Sequence, residues 1–168
     1  FDLEGYPFYD IRSSETMEYL YGAAYKNSDG EMEFKDDLWA DNHYEEEEIF
    51  CKFVEWIEDR IKKYPNLKIY HYAHYEKTSL LKSAQKFGKY EIEIDKWLKE
   101  DRLVDLYAVV RKAFIVGKDS YSIKRIEEVA GYKRELDLSS GMDSIFYFER
   151  YLTSGDIEEK EKLKNEIL

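Results

Sequence analysis

The sequence predicts an α/β fold, with a mixed central β-sheet whose first three strands are antiparallel and which helices flank. Three observations predict it. An acidic and apolar strand at 1–4 precedes a period-2 segment with a turn signal at its centre, which reads as a hairpin. A strongly amphipathic helix follows at 44–63, and a short apolar strand at 67–72 follows that. The remaining segments carry helical patterns, so strands and helices are layered around one core.

The elements can be justified in order. Phe1-Asp2-Leu3-Glu4 reads as the end of a strand, broken by Gly5 and Pro7. In 17–26, Met17, Tyr19, Tyr21, Ala23 and Tyr25 share one face. Asn27-Ser28-Asp29-Gly30 is a turn, and Met32 and Phe34 resume the alternation, so 17–36 forms the hairpin. Ile49, Phe53, Ile57 and Ile61 fall at i+4 steps in 44–63, backed by Phe50 and Val54. Asp41 or Asn42 caps this helix, the run Glu45–Glu48 suits its dipole, and Pro65-Asn66 ends it. Helices are predicted over 74–88, 91–100, 103–114, 122–130, 142–152 and 156–168, with polar connections at 117–120 and 131–141.

Length and composition bound the rest. With 168 residues the chain supports one domain with its own core. It opens at Phe1 rather than Met, directly in a strand, and is read as a piece of a longer polypeptide spanning 1–168. Cys51 is the single cysteine, which excludes an intramolecular disulfide and a cysteine-rich zinc site. Beside Phe50 and Phe53 it reads as a buried free thiol. With no signal peptide and no run of 18 apolar residues, the expectation is a cytoplasmic protein that does not span a membrane. The net charge of -11 argues against tight stand-alone grip on nucleic acid, because phosphate neutralisation dominates that affinity. It leaves nuclease chemistry open, since metal ions held by carboxylates reverse the field locally.

Asp2 and Glu4 lie on one side of a strand by alternation. They are either a solvated strand end or the core of a metal site. Phe1 and Leu3 suggest a buried strand, where acids need a partner or an ion. Glu76 falls where the strand 67–72 gives way to a helix, as a ligand or as a partner of the helix dipole. Asp143 opens the helix 142–152, as a ligand or a cap. His71 and His74 admit a weaker zinc reading. Four scattered acids have a chemical logic, because two hard ions about 4 Å apart need shared oxygen ligands to cleave a phosphodiester.

These residues resemble a known pattern. Phe1-Asp2-Leu3-Glu4-Gly5 is similar to the first motif of the DEDD exonuclease superfamily, which has the ribonuclease-H-like fold. The run from Ile69 to Glu76 (IYHYAHYE) followed by Leu80 is similar to its second motif, with Glu where most members carry Asp. Val104-Asp105-Leu106-Tyr107, Val110-Arg111, and Ser120-Tyr121-Ser122-Ile123-Lys124 with Ile126-Glu127 resemble one branch, the RNase H-like domain fused behind RecB-type nucleases, sometimes with helicases. The resemblance covers roughly 1–156. It implies a divalent-metal exonuclease acting at 3′ ends with two Mg²⁺ or Mn²⁺ ions, and places Asp2, Glu4, Glu76 and Asp143 on the four acidic positions. The His or Tyr that family members carry before the last acid is replaced, because those positions hold Leu138 and Ser139. Water activation then falls to the ions alone or is assisted by His74, Tyr121 or Lys124.

On this fold Lys118, Lys124, Arg125, Lys133 and Arg134 form the main basic cluster, either a strand-guiding patch or a solvated face paired with Glu127 and Glu128. Asp105 reads as a structural polar group paired to Arg111, or as an acid behind the ligands. Trp39, Trp56 and Trp97 read as packing residues. The expected function is hydrolysis of single-stranded nucleic acid, DNA favoured over RNA, in a DNA-repair setting, assisted by further domains such as a RecB-type nuclease or helicase. The alternatives are an inactive RNase H-like module that binds nucleic acid or docks partner domains, and a protein-interaction domain.

Overall fold

A computed structural model describes residues 1–10, 15–132 and 141–168. The order is β1 (Asp2–Asp10), β2 (Glu15–Lys26), β3 (Met32–Trp39), α1 (His43–Lys63), β4 (Ile69–His71), α2 (Tyr75–Phe87), α3 (Glu91–Lys99), β5 (Leu103–Asp105), α4 (Leu106–Ala113), α5 (Ile123–Ala130), α6 (Gly141–Thr153) and α7 (Ile157–Ile167). β1, β2 and β3 form an antiparallel sheet in that order, and β4 pairs in parallel with β5. The Phe1 backbone nitrogen donates to the Tyr70 carbonyl at 3.1 Å, which joins the edge of β1 to β4. The mixed α/β architecture expected from the sequence is therefore present.

The hairpin forms as expected. Asn27 closes it, its Oδ1 accepting from the amides of Asp29 and Glu31. In the middle of β2 the periodicity gives way, because Met17 to Tyr21 are all buried. Tyr21 meets Phe50 and Phe53 of α1, while Tyr19 stacks on Phe148 of α6 with ring centroids 3.8 Å apart. A strand lying between two others and packed by two helices no longer needs a polar side. The α1 stripe of Ile49, Phe53, Ile57 and Ile61 is buried, and Asn42 is its cap, accepting from the amides of Tyr44 and Glu45.

Three expectations need correction. β1 does not end at Gly5. It continues to Asp10 with register shifts between Glu4 and Gly5 and between Tyr6 and Asp10, so bulges absorb the glycine and Pro7. Residues 103–105 are not helical. They pair with Ile69–His71, and only after Asp105 does α4 begin. Cys51 is half-buried rather than buried. Trp97 is buried and donates to Glu58 at 2.6 Å, and Trp39 donates to Asp41 at 2.7 Å, as packing residues with a polar handle. Among the described residues no helix is long and apolar enough to cross a membrane.

Candidate functional site

The alternation of β1 puts Asp2 and Glu4 on one wall of a cleft of about 590 Å³. The register pairs Asp2 with Gly22 and Glu4 with Leu20, and Gly22, Ala23 and Ala24 line the cleft beside them. His71, at the end of β4, and Glu76, in the first turn of α2, line the same cleft.

The turn from β4 into α2 is built by Asp105. Its register partner is His71. Its Oδ1 accepts from the amide of Ala73 at 2.9 Å and from the amides of Tyr107 and Ala108 at the start of α4. Ala73 has a φ of 69°, a left-handed conformation that costs an alanine energy and so needs an anchor. Asp105 is thus structural, as expected, but its partners are backbone amides and not Arg111, whose guanidinium lies over the Tyr107 ring.

The three acids in the cleft repel one another. Asp2 is exposed to the cleft by surface area, yet protein surrounds its carboxyl closely enough to displace much of the bulk water. That desolvation raises its pKa, and the facing Glu76 carboxylate raises it further, against a hydrogen bond from the Leu3 amide. Half-buried Glu4 is pushed up to about 7, first by desolvation and then by Asp2, Glu18 and Glu76. The Ser144 hydroxyl, 2.7 Å from Glu4 Oε2, opposes this. Glu76 is 5% exposed, and its Oε2 has no hydrogen-bond partner.

Sequence reasoning missed the layer behind these acids. Glu18 is buried, its pKa raised by desolvation, and it accepts a hydrogen bond from the Tyr75 hydroxyl at 2.9 Å. Its backbone amide donates to Glu46, a buried carboxylate that Lys86 also meets at 2.8 Å and His43 at 2.6 Å. Glu18 carried a signal, as an acid inside the apolar run Met17–Tyr21. Gly5 lets this layer close on β1: a Cβ there would stand 2.2 Å from the Tyr75 hydroxyl and 2.7 Å from Glu18 Oε2. Gly5→Ala should therefore destabilise the fold by about 2–3 kcal/mol through overpacking, a fall in melting temperature of roughly 5–10 °C. A melting curve superimposable on wild type would show that the contact relaxes at no cost.

The remaining candidates are less closely drawn together. Asp143 lies half-buried in the first turn of α6, next to the Ser144 that touches Glu4. That brings its backbone to the edge of the site. His74 is exposed at the N-cap of α2. The Tyr121 hydroxyl donates to the Phe114 carbonyl, and its own carbonyl accepts from Tyr72. Lys124 is half-buried on α5, one residue from Ile123 in the cleft wall. Of the basic cluster, Lys118 pairs with Glu128 at 2.7 Å, and Arg125 pairs with Glu128 and Asp119. Lys133, Arg134, Leu138 and Ser139 lie outside the described residues.

The donor set suits a hard cation, because its groups are carboxylates and one buried oxygen lacks a partner. Among the described residues no three histidine, cysteine or acidic side chains form a ready-made metal shell. The acids share the cleft and would have to close on an ion.

A sequence profile of the RNase H superfamily matches residues 1–165, nearly the whole chain. The chain belongs to the RNase H superfamily. No curated protein and no solved structure matches it. Superfamily membership accounts for the antiparallel three-stranded start of the sheet.

Proposed function

We propose that this RNase H-like domain is a divalent-metal-dependent nuclease that hydrolyses phosphodiester bonds of single-stranded nucleic acid from a 3′ end, with DNA favoured over RNA. The observation that carries the reading is the meeting of Asp2, Glu4 and Glu76 in one cleft, desolvated and mutually repelling. Such a cluster is costly by itself and becomes favourable around positive charge. RNase H-like nucleases generally use divalent metals.

Asp2, Glu4 and Glu76, with Asp143 from α6, would hold Mg²⁺ or Mn²⁺, two ions in all. Bound there, the ions would polarise the phosphate and supply a nucleophile near neutral pH. Ser144 holds one oxygen of Glu4 and so limits the rotation of that carboxylate. Asp105 fixes the turn that presents Glu76. The cleft walls displace part of the water around Asp2 and Glu4, which strengthens their attraction for an ion. The same polypeptide would carry further domains, of the RecB-type nuclease or helicase kind, that grip the strand.

A second reading has its own support. Lys118 and Arg125 are neutralised by Glu128 and Asp119, the net charge is -11, and Leu138 and Ser139 stand where the resembled exonuclease motif carries a water-activating residue. On that reading the domain binds nucleic acid or docks partners without cutting.

The deciding assay incubates the protein with 5′-labelled single-stranded DNA, duplex DNA and RNA in Mn²⁺, Mg²⁺ or EDTA. Metal-dependent shortening of single-stranded DNA from its 3′ end is expected. No cleavage of any substrate in either metal would leave the non-catalytic module as the reading that stands.

A further inference from the structure

His71 lies in the wall of the same cleft, behind Glu76. It is 3% exposed, its Nδ1 has no hydrogen-bond partner, and that atom lies 3.7 Å from Glu76 Oε2, which is equally buried and equally unpartnered. Two orphaned atoms each cost desolvation free energy, and here they face each other just beyond hydrogen-bonding distance. Both backbones are held. His71 pairs in register with Asp105, and the Ala73 turn between them is tied to Asp105 Oδ1. The side chain of Glu76 has no comparable tether on Oε2.

We propose that His71 is a positioning residue for Glu76. Its Nδ1–H donates to Glu76 Oε2 once a cation draws the carboxylates together, leaving the other oxygen for the ion. This rests on the metal-binding reading of the acids above. Closing a 3.7 Å gap to an ordinary hydrogen bond takes a shift of under about 1 Å, within reach of a rotation of the Glu76 carboxylate. Position 76 holds Glu where the resembled motif carries Asp, and the longer arm has an extra rotatable bond. A buried donor behind it removes that freedom. Groups behind a ligand that fix its orientation typically change metal affinity by 10- to 100-fold. Glu76 is the only acid of the cleft that faces His71 in this way among the described residues.

The test measures Mn²⁺ binding directly, by titration calorimetry and by the electron paramagnetic resonance of free Mn²⁺, on wild type, His71→Leu, His71→Gln, Glu76→Asp and the double variant His71→Leu/Glu76→Asp. Wild type is expected to bind, His71→Leu to bind at least 10-fold more weakly, and His71→Gln, which keeps a donor, to recover most of the loss. In the Glu76→Asp background, where the shorter side chain no longer reaches His71, the leucine should cost little further affinity. If His71→Leu fails to fold, His71→Ala and His71→Ala/Glu76→Asp take its place in the same comparison, since they also remove the donor. Equal affinity for wild type and His71→Leu overturns the positioning role and leaves metal binding intact. A leucine penalty equally large in both backgrounds also overturns it, because the loss then has nothing to do with Glu76. No binding by wild type overturns the metal reading and this one with it.

Discussion

Asp2→Asn is expected to abolish metal-dependent cleavage while leaving the protein folded. A carboxylate that helps hold catalytic ions contributes several kcal/mol of charge stabilisation, and at 1.36 kcal/mol per decade the loss is on the order of 10³-fold in rate. The folded state should tolerate the change. The amide oxygen of asparagine can still accept from the Leu3 amide, as Asp2 Oδ1 does at 3.0 Å. Replacing an anion whose pKa is raised by desolvation and by Glu76 also removes repulsion, so in EDTA at pH 8 the variant should melt no lower than wild type. The pair of results separates a site from a scaffold. Full activity in Asp2→Asn would remove Asp2 from the chemistry. A variant that loses both activity and cooperative melting would show that the acid is needed for the fold.

The second large effect is on stability against pH. Asp2, Glu4 and Glu18 all have raised pKa values in the folded state, desolvation being the first cause in each. A raised pKa means that the folded state binds the proton more tightly than the unfolded chain. The stability this provides is complete below the unfolded value and is lost as pH rises through the folded one. For Glu4 that window runs from 4.5 to about 7 and is worth at most about 3 kcal/mol, less for the water that reaches a half-buried carboxyl. The metal-free protein should therefore be more stable near pH 5 than at pH 7.5. Exposed Glu33 and Glu128 and half-buried Glu159 have lowered values and matter only at more acidic pH. Divalent ions compete with protons for the same oxygens, so Mn²⁺ should raise the melting temperature strongly at pH 7.5 and little at pH 5. Urea melts at pH 5, 6, 7 and 8, with EDTA and with Mn²⁺, read both slopes. A flat profile in EDTA would contradict the raised carboxylates, and an equal Mn²⁺ shift at every pH would place the ion elsewhere.

Local chemistry made part of this protein legible before its coordinates. Side-chain alternation on a strand puts Asp2 and Glu4 on one wall whatever packs nearby. The i+4 stripe from Ile49 to Ile61, the Asn42 cap and the Asn27–Gly30 turn are fixed by neighbours within a few residues, and each formed where expected. Contacts made over long sequence distances were decided only by the tertiary structure. Leu103–Asp105 has a helical pattern but is drawn into a parallel pairing with a strand more than thirty residues earlier, and no local signal announces such a partner. Burial of Glu18 and Glu46 depends on α1, α2 and β2 meeting. The candidate site divides in the same way. Sequence by itself determined which acids were available. The convergence of β1, β4 and α2 determined that three of them share one cleft, with His71 behind, because desolvation and repulsion arise only when distant segments are brought together.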